Sequence, residues 1–370
     1  MRPFKYLLII IVFTACRQES LIPEEQSVIT NNYFLVEDEV GGEEIVVVAN
    51  ASFNFISAYG KIRSDGEQVE LSASDRELPA LLKDLEGNYY DIFGTIISGP
   101  DKGLKLLPLI SYKAYWFSVS SFFPGIDLYN AESIEVGDLG LTYREDWLIP
   151  TANLYVGSSK DGIPAIDNPV YKESGIASEF ASQEPTNEQL IVGVILNGIP
   201  KAIPYNIMNW HEIVNNVSDS IRIGVSHCPL TGSSLAFKIK EGQSTFGVSG
   251  LLYNSNLIMY DRGTDANLWQ QMTLVCVNGP QIGERLVVFP SVEMSYLDWK
   301  NIYPETEFLT ETTGQVRDYS LNPYPAYDTN DDLIYYPVDF KDDRIPGKEK
   351  VLCVIVGDSQ KAYSLPLTIK

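Results

Sequence analysis

Two stretches of this chain carry the same backbone punctuation. "YYDIFGTIISGPDKGLKLLPLISYKAYWFSVSSFFPGIDLY" and "LWQQMTLVCVNGPQIGERLVVFPSVEMSYLDWKNIYPETEFL" place Gly99-Pro100, Gly103 and Pro124 at the spacing of Gly279-Pro280, Gly283 and Pro304, with no gap needed. A Gly-Pro turn, a glycine free to take positive φ and a helix-stopping proline each restrict the backbone severely. A fold for this chain has to meet the same restrictions twice. Before each final proline comes a run at helical spacing, Tyr115, Phe117, Phe122 in one and Tyr296, Trp299, Ile302 in the other, which predicts a short helix ended by the proline.

The likeness extends outward. "IVVVANASFNFISAY" resembles "RIGVSHCPLTGSSLAF" with a small gap, and "LIVGVILNGIPKAI" resembles "KVLCVIVGDSQKAY", with Lys201-Ala202 on Lys361-Ala362. Apolar runs broken by Asn-Gly or Gly-Asp are hairpin signals. The predicted fold is mainly β with a few short helices, at the margin of α+β. It is built as two related β-rich units from an internal duplication, barrel- or sandwich-like, over residues 41–197 and 198–370. "KDGIPAIDNPVYKESGIASEFASQEPTNEQ" is rich in turn formers and reads as a surface connection. The 22 tyrosines suit sheet more than helix.

Asp and Glu number 49 against 27 Lys and Arg, for a formal net charge of -22. Such a field repels phosphate backbones, which excludes a nucleic-acid partner. The first residues, "MRPFKYLLIIIVFTACRQES", join a basic start (Arg2, Lys5) to a short apolar core (Tyr6 to Phe13) and small residues before Cys16. This reads as a bacterial lipoprotein leader over residues 1–16, with Cys16 as the lipidated first residue of the mature chain. Residues 17–40, with the polar run Arg17 to Asn32, read as a flexible tether. The expected location is the bacterial cell envelope, lipid-anchored and extracytoplasmic, with the membrane met through the N-terminal lipid.

Export leaves Cys228, Cys276 and Cys353, an odd number, so at least one is unpaired within a monomer. Cys276 and Cys353 sit in apolar runs and read as small buried hydrophobes. Cys228, in "SHCPLTG", precedes a proline and a Thr-Gly turn and has no counterpart in "NASFNF" of the first unit. Polar chemistry found in only one copy points to function, so the site is expected in the second unit.

"KDGIPAIDNP", "VGVILNGIPKAIPYNIMNWHEIVNN", "SHCPLTGSSLAF" and "TFGVSGLLYNSNLIMYDR" together resemble the domain-of-unknown-function 3179 family of bacteria and archaea, from about Asp146 to the C-terminus. The resemblance implies an exported or lipid-anchored protein and carries no activity with it. His211, Glu212, Cys228, Pro229, Gly232 and Asp261-Arg262 fall on its motif positions. An aromatic usually stands where His227 does and aspartate where Asn216 does, so the resemblance gives His227 no family-wide role.

"AIPYNIMNWHEIVNN" reads as a helix, with His211 beside the Met208 face. If His211 meets Cys228, it could activate the thiol as a nucleophile, since thiol catalysis needs a lowered pKa or an adjacent base. The order His, then Ser-His-Cys, is similar to that of cysteine L,D-transpeptidases, but the glycine before and the arginine after the cysteine are missing. The same two residues could instead bind copper or zinc, though two ligands are too few for a closed site. In a third reading Cys228 simply packs. Asp261-Arg262 reads as a charged pair at a hairpin or a ligand fork, and Asn254 as a turn residue near the ligand. Asp328, Asn330 and Asp332 alternate like the start of a calcium loop, but Leu333 stands where glycine is required, which favours a solvated acidic turn. The leading expectation is a small ligand or protein partner bound beside Cys228 without catalysis. The alternative is a thiol- or metal-dependent redox or transferase site of His211 and Cys228.

Overall fold

The computed structural model describes residues 33–50, 54–175, 184–218, 221–263 and 267–364. The leader and Cys16 lie outside the described residues. The protein is mainly β, with several open sheets and, among the described residues, three seven-residue α-helices, α1 (Trp116–Phe122), α2 (Tyr205–His211) and α3 (Tyr296–Ile302). Among the described residues no sheet closes into a barrel, so the layered, sandwich-like alternative is the one adopted.

Two of the sheets are built alike. In one, Val292–Ser295 lies beside the hairpin of Leu190–Leu196 and Ile199–Pro204, and Glu307–Leu309 then pairs parallel to the hairpin at Lys201-Ala202. In the other, Ile110–Tyr115 lies beside the hairpin of Lys350–Val356 and Ser359–Ser364, and Asp127–Leu128 pairs parallel at Lys361-Ala362. A helix follows each edge strand, α3 after Ser295 and α1 after Tyr115, and Pro304 and Pro124 come just after the caps Tyr303 and Phe123. The turns agree as well. Asn88 donates to Asp84 and accepts from the Asp101 N–H, while Asn267 donates to Asp261 and accepts from the Gln281 N–H. Gly99 and Gly279 pack so closely on those asparagines that a Cβ would lie 2.5 and 2.8 Å from the amide oxygen, and both have positive φ.

Strand pairing does not respect the boundary read between residues 197 and 198. Asn197-Gly198 is the turn of a hairpin, and the C-terminal hairpin pairs with strands of the N-terminal half. The cores are shared too. Tyr112, Trp116, Phe246, Trp269 and Cys353 lie in one cluster, and Val46, Tyr90, Ile191, Trp299 and Phe308 in another. Phe34–Val40, read as tether, is instead a strand paired with Glu43–Asn50 through a Gly41-Gly42 turn, with Val36 and Val40 buried. The alternation in "FLVEDEV" buries one face, which a solvated tether would not need.

The helix read across "NWHEIVNN" stops at His211. Glu212 takes a left-handed conformation, φ 57, and Ile213–Val217 enters a strand paired with Arg222–Cys228. The β-branched Ile213-Val214 pair favours that strand over a further helical turn. Asn254 and Ser255, both at positive φ, join Phe246–Tyr253 to Asn256–Asp261, a turn at the position read for Asn254.

Candidate functional site

Strand Arg222–Cys228 pairs with Ser233–Lys238, Cys228 opposite Ser233 and His227 opposite Ser234. Successive strand residues face opposite sides, so His227 and Cys228 point apart. Cys228 lies in the core cluster with Leu230, Leu257 and Met259, is 1% exposed, and its thiol donates to the Ser255 carbonyl at 3.7 Å. Burial, with the nearby Glu212, pushes the thiol up to about 11. At neutral pH only about one thiol in ten thousand is then ionised, so it is no poised nucleophile.

His211 does not reach it. Its Nδ1 donates to the Pro164 carbonyl and its Nε2 accepts from the Tyr319 hydroxyl, each at 2.7 Å. With both nitrogens engaged and burial lowering its pKa, the neutral ring has neither a lone pair for the thiol nor a free metal-binding position. The structure therefore does not bring together the His211–Cys228 pair expected for catalysis or for copper or zinc. Among the described residues no group of three or more His, Cys, Asp or Glu is placed to hold a metal. Cys228, Cys276 and Cys353 are all buried and free.

The other expected binding residues are structural. Asp261 accepts from the Asn267 amide and the Trp269 indole, whereas Arg262 pairs with Asp167 and Asp161, so the two are not a pair with each other. Asn254 donates to the Ser121 carbonyl and accepts from the Asp339 N–H, tying its turn to α1. Asp328, Asn330 and Asp332 are exposed, as a solvated turn requires.

What the strand offers beside Cys228 is a cleft of about 280 Å³, lined on this side by His227, Pro229 and Gly232. Gly232 is required there. It has φ +60, and a Cβ would lie 2.8 Å from the Tyr115 ring. Helix α2 supplies Tyr205 and Asn209, the C-terminal strand Lys350, and the irregular segment before it Asn322, Tyr324, Tyr327, Asp328 and Lys348. The first half contributes Asn54 and Tyr115. The site thus draws on both halves, against the expectation that one copy would hold it.

His227 is tilted over the Tyr205 ring at 4.2 Å. Its Nε2 donates to Asn209 Oδ1 at 3.1 Å, and its Nδ1 accepts from the Ser234 hydroxyl at 2.9 Å. Burial and the neighbouring Lys350 press its pKa down to about 3, so the ring is a neutral wall of the cleft. Behind it, Glu293 receives Lys113 at 2.9 Å, Lys350 at 3.0 Å and the Tyr205 hydroxyl. Burial alone would raise the Glu293 carboxyl, but the two ammoniums outweigh it and hold it at about 2. Two cations thus share one anion.

Lys348 is the outlier. It is 8% exposed, donates to the Tyr327 carbonyl at 2.9 Å and lies 3.0 Å from the centre of the Tyr327 ring. Among the described residues no carboxylate lies within ion-pair distance of it. Burial lowers its pKa to about 8, against the pull of Asp328 and Asp331. Sequence spacing could not have found this residue, because it reaches the cleft through the pairing of Lys350–Val356 with Ile110–Tyr115.

Fold and cleft together define an open-sheet β protein with a polar, tyrosine-walled pocket carrying surplus positive charge. The chain belongs to the family described as Protein of unknown function (DUF3179), whose model matches residues 160–367, more than half of the sequence. No curated protein and no solved structure matches it.

Proposed function

We propose that this protein binds a small carboxylated, hydroxyl-bearing molecule, of the acidic-monosaccharide class, in the cleft beside Cys228, without chemical turnover. The observation that carries the reading is Lys348, a buried ammonium facing the cleft with no carboxylate within ion-pair distance among the described residues, Asp328 and Asp331 acting on it only from further off. Unpaired buried charge is costly, and a bound anion removes that cost. Lys113 and Lys350 share Glu293, which adds a further net positive charge beneath the cleft. Asn54, Asn209 and Asn322 offer polar groups for hydroxyls, and Tyr115, Tyr205, Tyr324 and Tyr327 offer flat apolar faces. The buried thiol and neutral, hydrogen-bonded imidazoles support binding over catalysis.

The leader supports a lipid anchor at Cys16 in the bacterial envelope, outside the cytoplasm. No helix of the described residues is long and apolar enough to cross a membrane. The matching sheets, helices and asparagine turns support descent from an internal duplication.

Calorimetric titration with glucuronate and with glucose tests the binding. Saturable binding of glucuronate, at least tenfold tighter than glucose and lost in Lys348→Met, is the expected result. Equal binding of the neutral sugar, or unchanged affinity in the variant, would refute it.

A further inference from the structure

A second cavity, of about 150 Å³, shares Tyr324 with the cleft and otherwise has a different lining. Its wall combines aliphatic residues, Ile163, Leu230 and Leu257 among them, with the aromatic rings of Tyr324, Tyr335 and Tyr336. One ionisable acid faces it, Glu212. The backbone there is pinned, its N–H donating to the Met208 carbonyl at 2.8 Å and its C=O accepting from the His227 N–H at 2.7 Å. Its left-handed φ of 57 is uncommon for a residue with a side chain. The residue is 5% exposed, and among the described residues no hydrogen bond or ion pair reaches its carboxyl group. Its carboxyl oxygens border the open space of the cavity rather than being sealed in the interior, so a bound group can reach them.

We infer that this cavity is a second binding site, independent of the anion cleft, that takes a small quaternary ammonium group with Glu212 as its counter-charge. A cation fits because, among the described residues, the wall holds a carboxyl group and no Lys, Arg or His. Alkylation suits the aliphatic part of the wall, where Ile163, Leu230 and Leu257 can pack against methyl groups. Tyrosine faces attract such cations directly. A void of about 150 Å³ in an apolar interior accommodates a benzene-sized molecule, and tetramethylammonium is of that order. The strong negative charge of the chain favours cations at its surface.

Several titratable groups stand near Glu212. Cys228 is on the adjoining strand, Tyr324, Tyr335 and Tyr336 are across the cavity, and the neighbouring His211 has both ring nitrogens occupied. Burial lifts the Glu212 carboxyl to about 8, so it is protonated in the empty site at neutral pH. A permanent cation must displace that proton. Its affinity therefore rises about tenfold per pH unit until Glu212 is ionised, then levels.

The test is calorimetric titration of the whole protein with tetramethylammonium chloride from pH 6 to 9 at fixed ionic strength, with tert-butanol as the uncharged probe. Expected are saturable binding that tightens about tenfold per unit up to pH 8, little binding of tert-butanol, and at least a tenfold loss with no pH dependence in Glu212→Gln. Absence of saturable binding, equal binding of tert-butanol, or an unchanged Glu212→Gln profile would overturn the inference. Should that variant fail to fold, the carboxyl ¹³C resonance of Glu212 in the native protein decides. It must titrate at lower pH in the presence of tetramethylammonium, and a static titration refutes the site. Glucuronate binding is unaffected by any of these outcomes.

Discussion

Glu293→Gln removes one charge and almost no volume from the ion cluster behind His227. Glu293, Lys113 and Lys350 form a compact triad, in which the side chains of Glu293 and Lys113 are 6% and 3% exposed. The substitution leaves Lys113 as a buried ammonium without a counter-charge. The size of the loss follows from the carboxyl group itself. Its ordinary value is 4.5 and in the fold it lies at about 2, and each pKa unit is worth about 1.4 kcal/mol. The charged form is thus favoured by roughly 3 kcal/mol, at the lower end of the about 3–5 kcal/mol lost when one partner of a buried pair is removed.

The direction with pH is fixed as well. Because the folded value lies below the unfolded one, the contribution is complete above about pH 4.5 and disappears as pH falls through about 2. Urea unfolding of wild type and Glu293→Gln should differ by about 3 kcal/mol at pH 7, with the gap closing toward pH 2. Adding Lys113→Met to the variant should recover part of the loss, since the stranded ammonium is then gone. A gap under about 1 kcal/mol at pH 7, or one that does not narrow in acid, would refute the account of the triad.

Three further outcomes are expected. Gly232→Ala, which drives a Cβ to 2.8 Å from the Tyr115 ring at positive φ, should lower unfolding stability by about 1–3 kcal/mol and weaken glucuronate binding. Cys228, Cys276 and Cys353, buried and held at about 11, 11 and 12, should stay silent to a thiol-specific disulfide reagent in the native protein and all react in denaturant. The folded carboxyl of Glu212 lies above its unfolded value, so its contribution is full below pH 4.5 and is lost as pH rises through about 8. Glu212→Gln should flatten that part of the stability profile.

Local signals in the sequence carried much of the fold. Gly99-Pro100 and Gly279-Pro280 mark real turns, Pro124 and Pro304 follow real helices, and Lys201-Ala202 and Lys361-Ala362 occupy matching positions in two sheets. Non-local pairing was hidden. Nothing in residues 350–364 announces that their partners are residues 110–115 and 127–128.

The site was half legible. "SHCPLTG" lies at its edge, but the residue that faces the cleft is His227, and the period of a strand separates it from Cys228. That alternation was the available signal, since cysteine is among the most buried residue types. Lys348 and Tyr327 lie in a segment without periodicity, and burial of a lysine leaves no trace in its neighbours' spacing. Glu212 was placed on a motif position but given no site of its own because the helix was read through it, whereas the chain turns left-handed there and Glu212 lines the second cavity.

The central claim, that Lys348 is a cation awaiting an anion, is tested most directly by following its side-chain ε-carbon resonance by NMR as a function of pH. Without ligand it should titrate near 8, and with saturating glucuronate it should move up by a unit or more. A lysine that titrates at the ordinary 10.5, or one that ignores the sugar acid, would contradict the account.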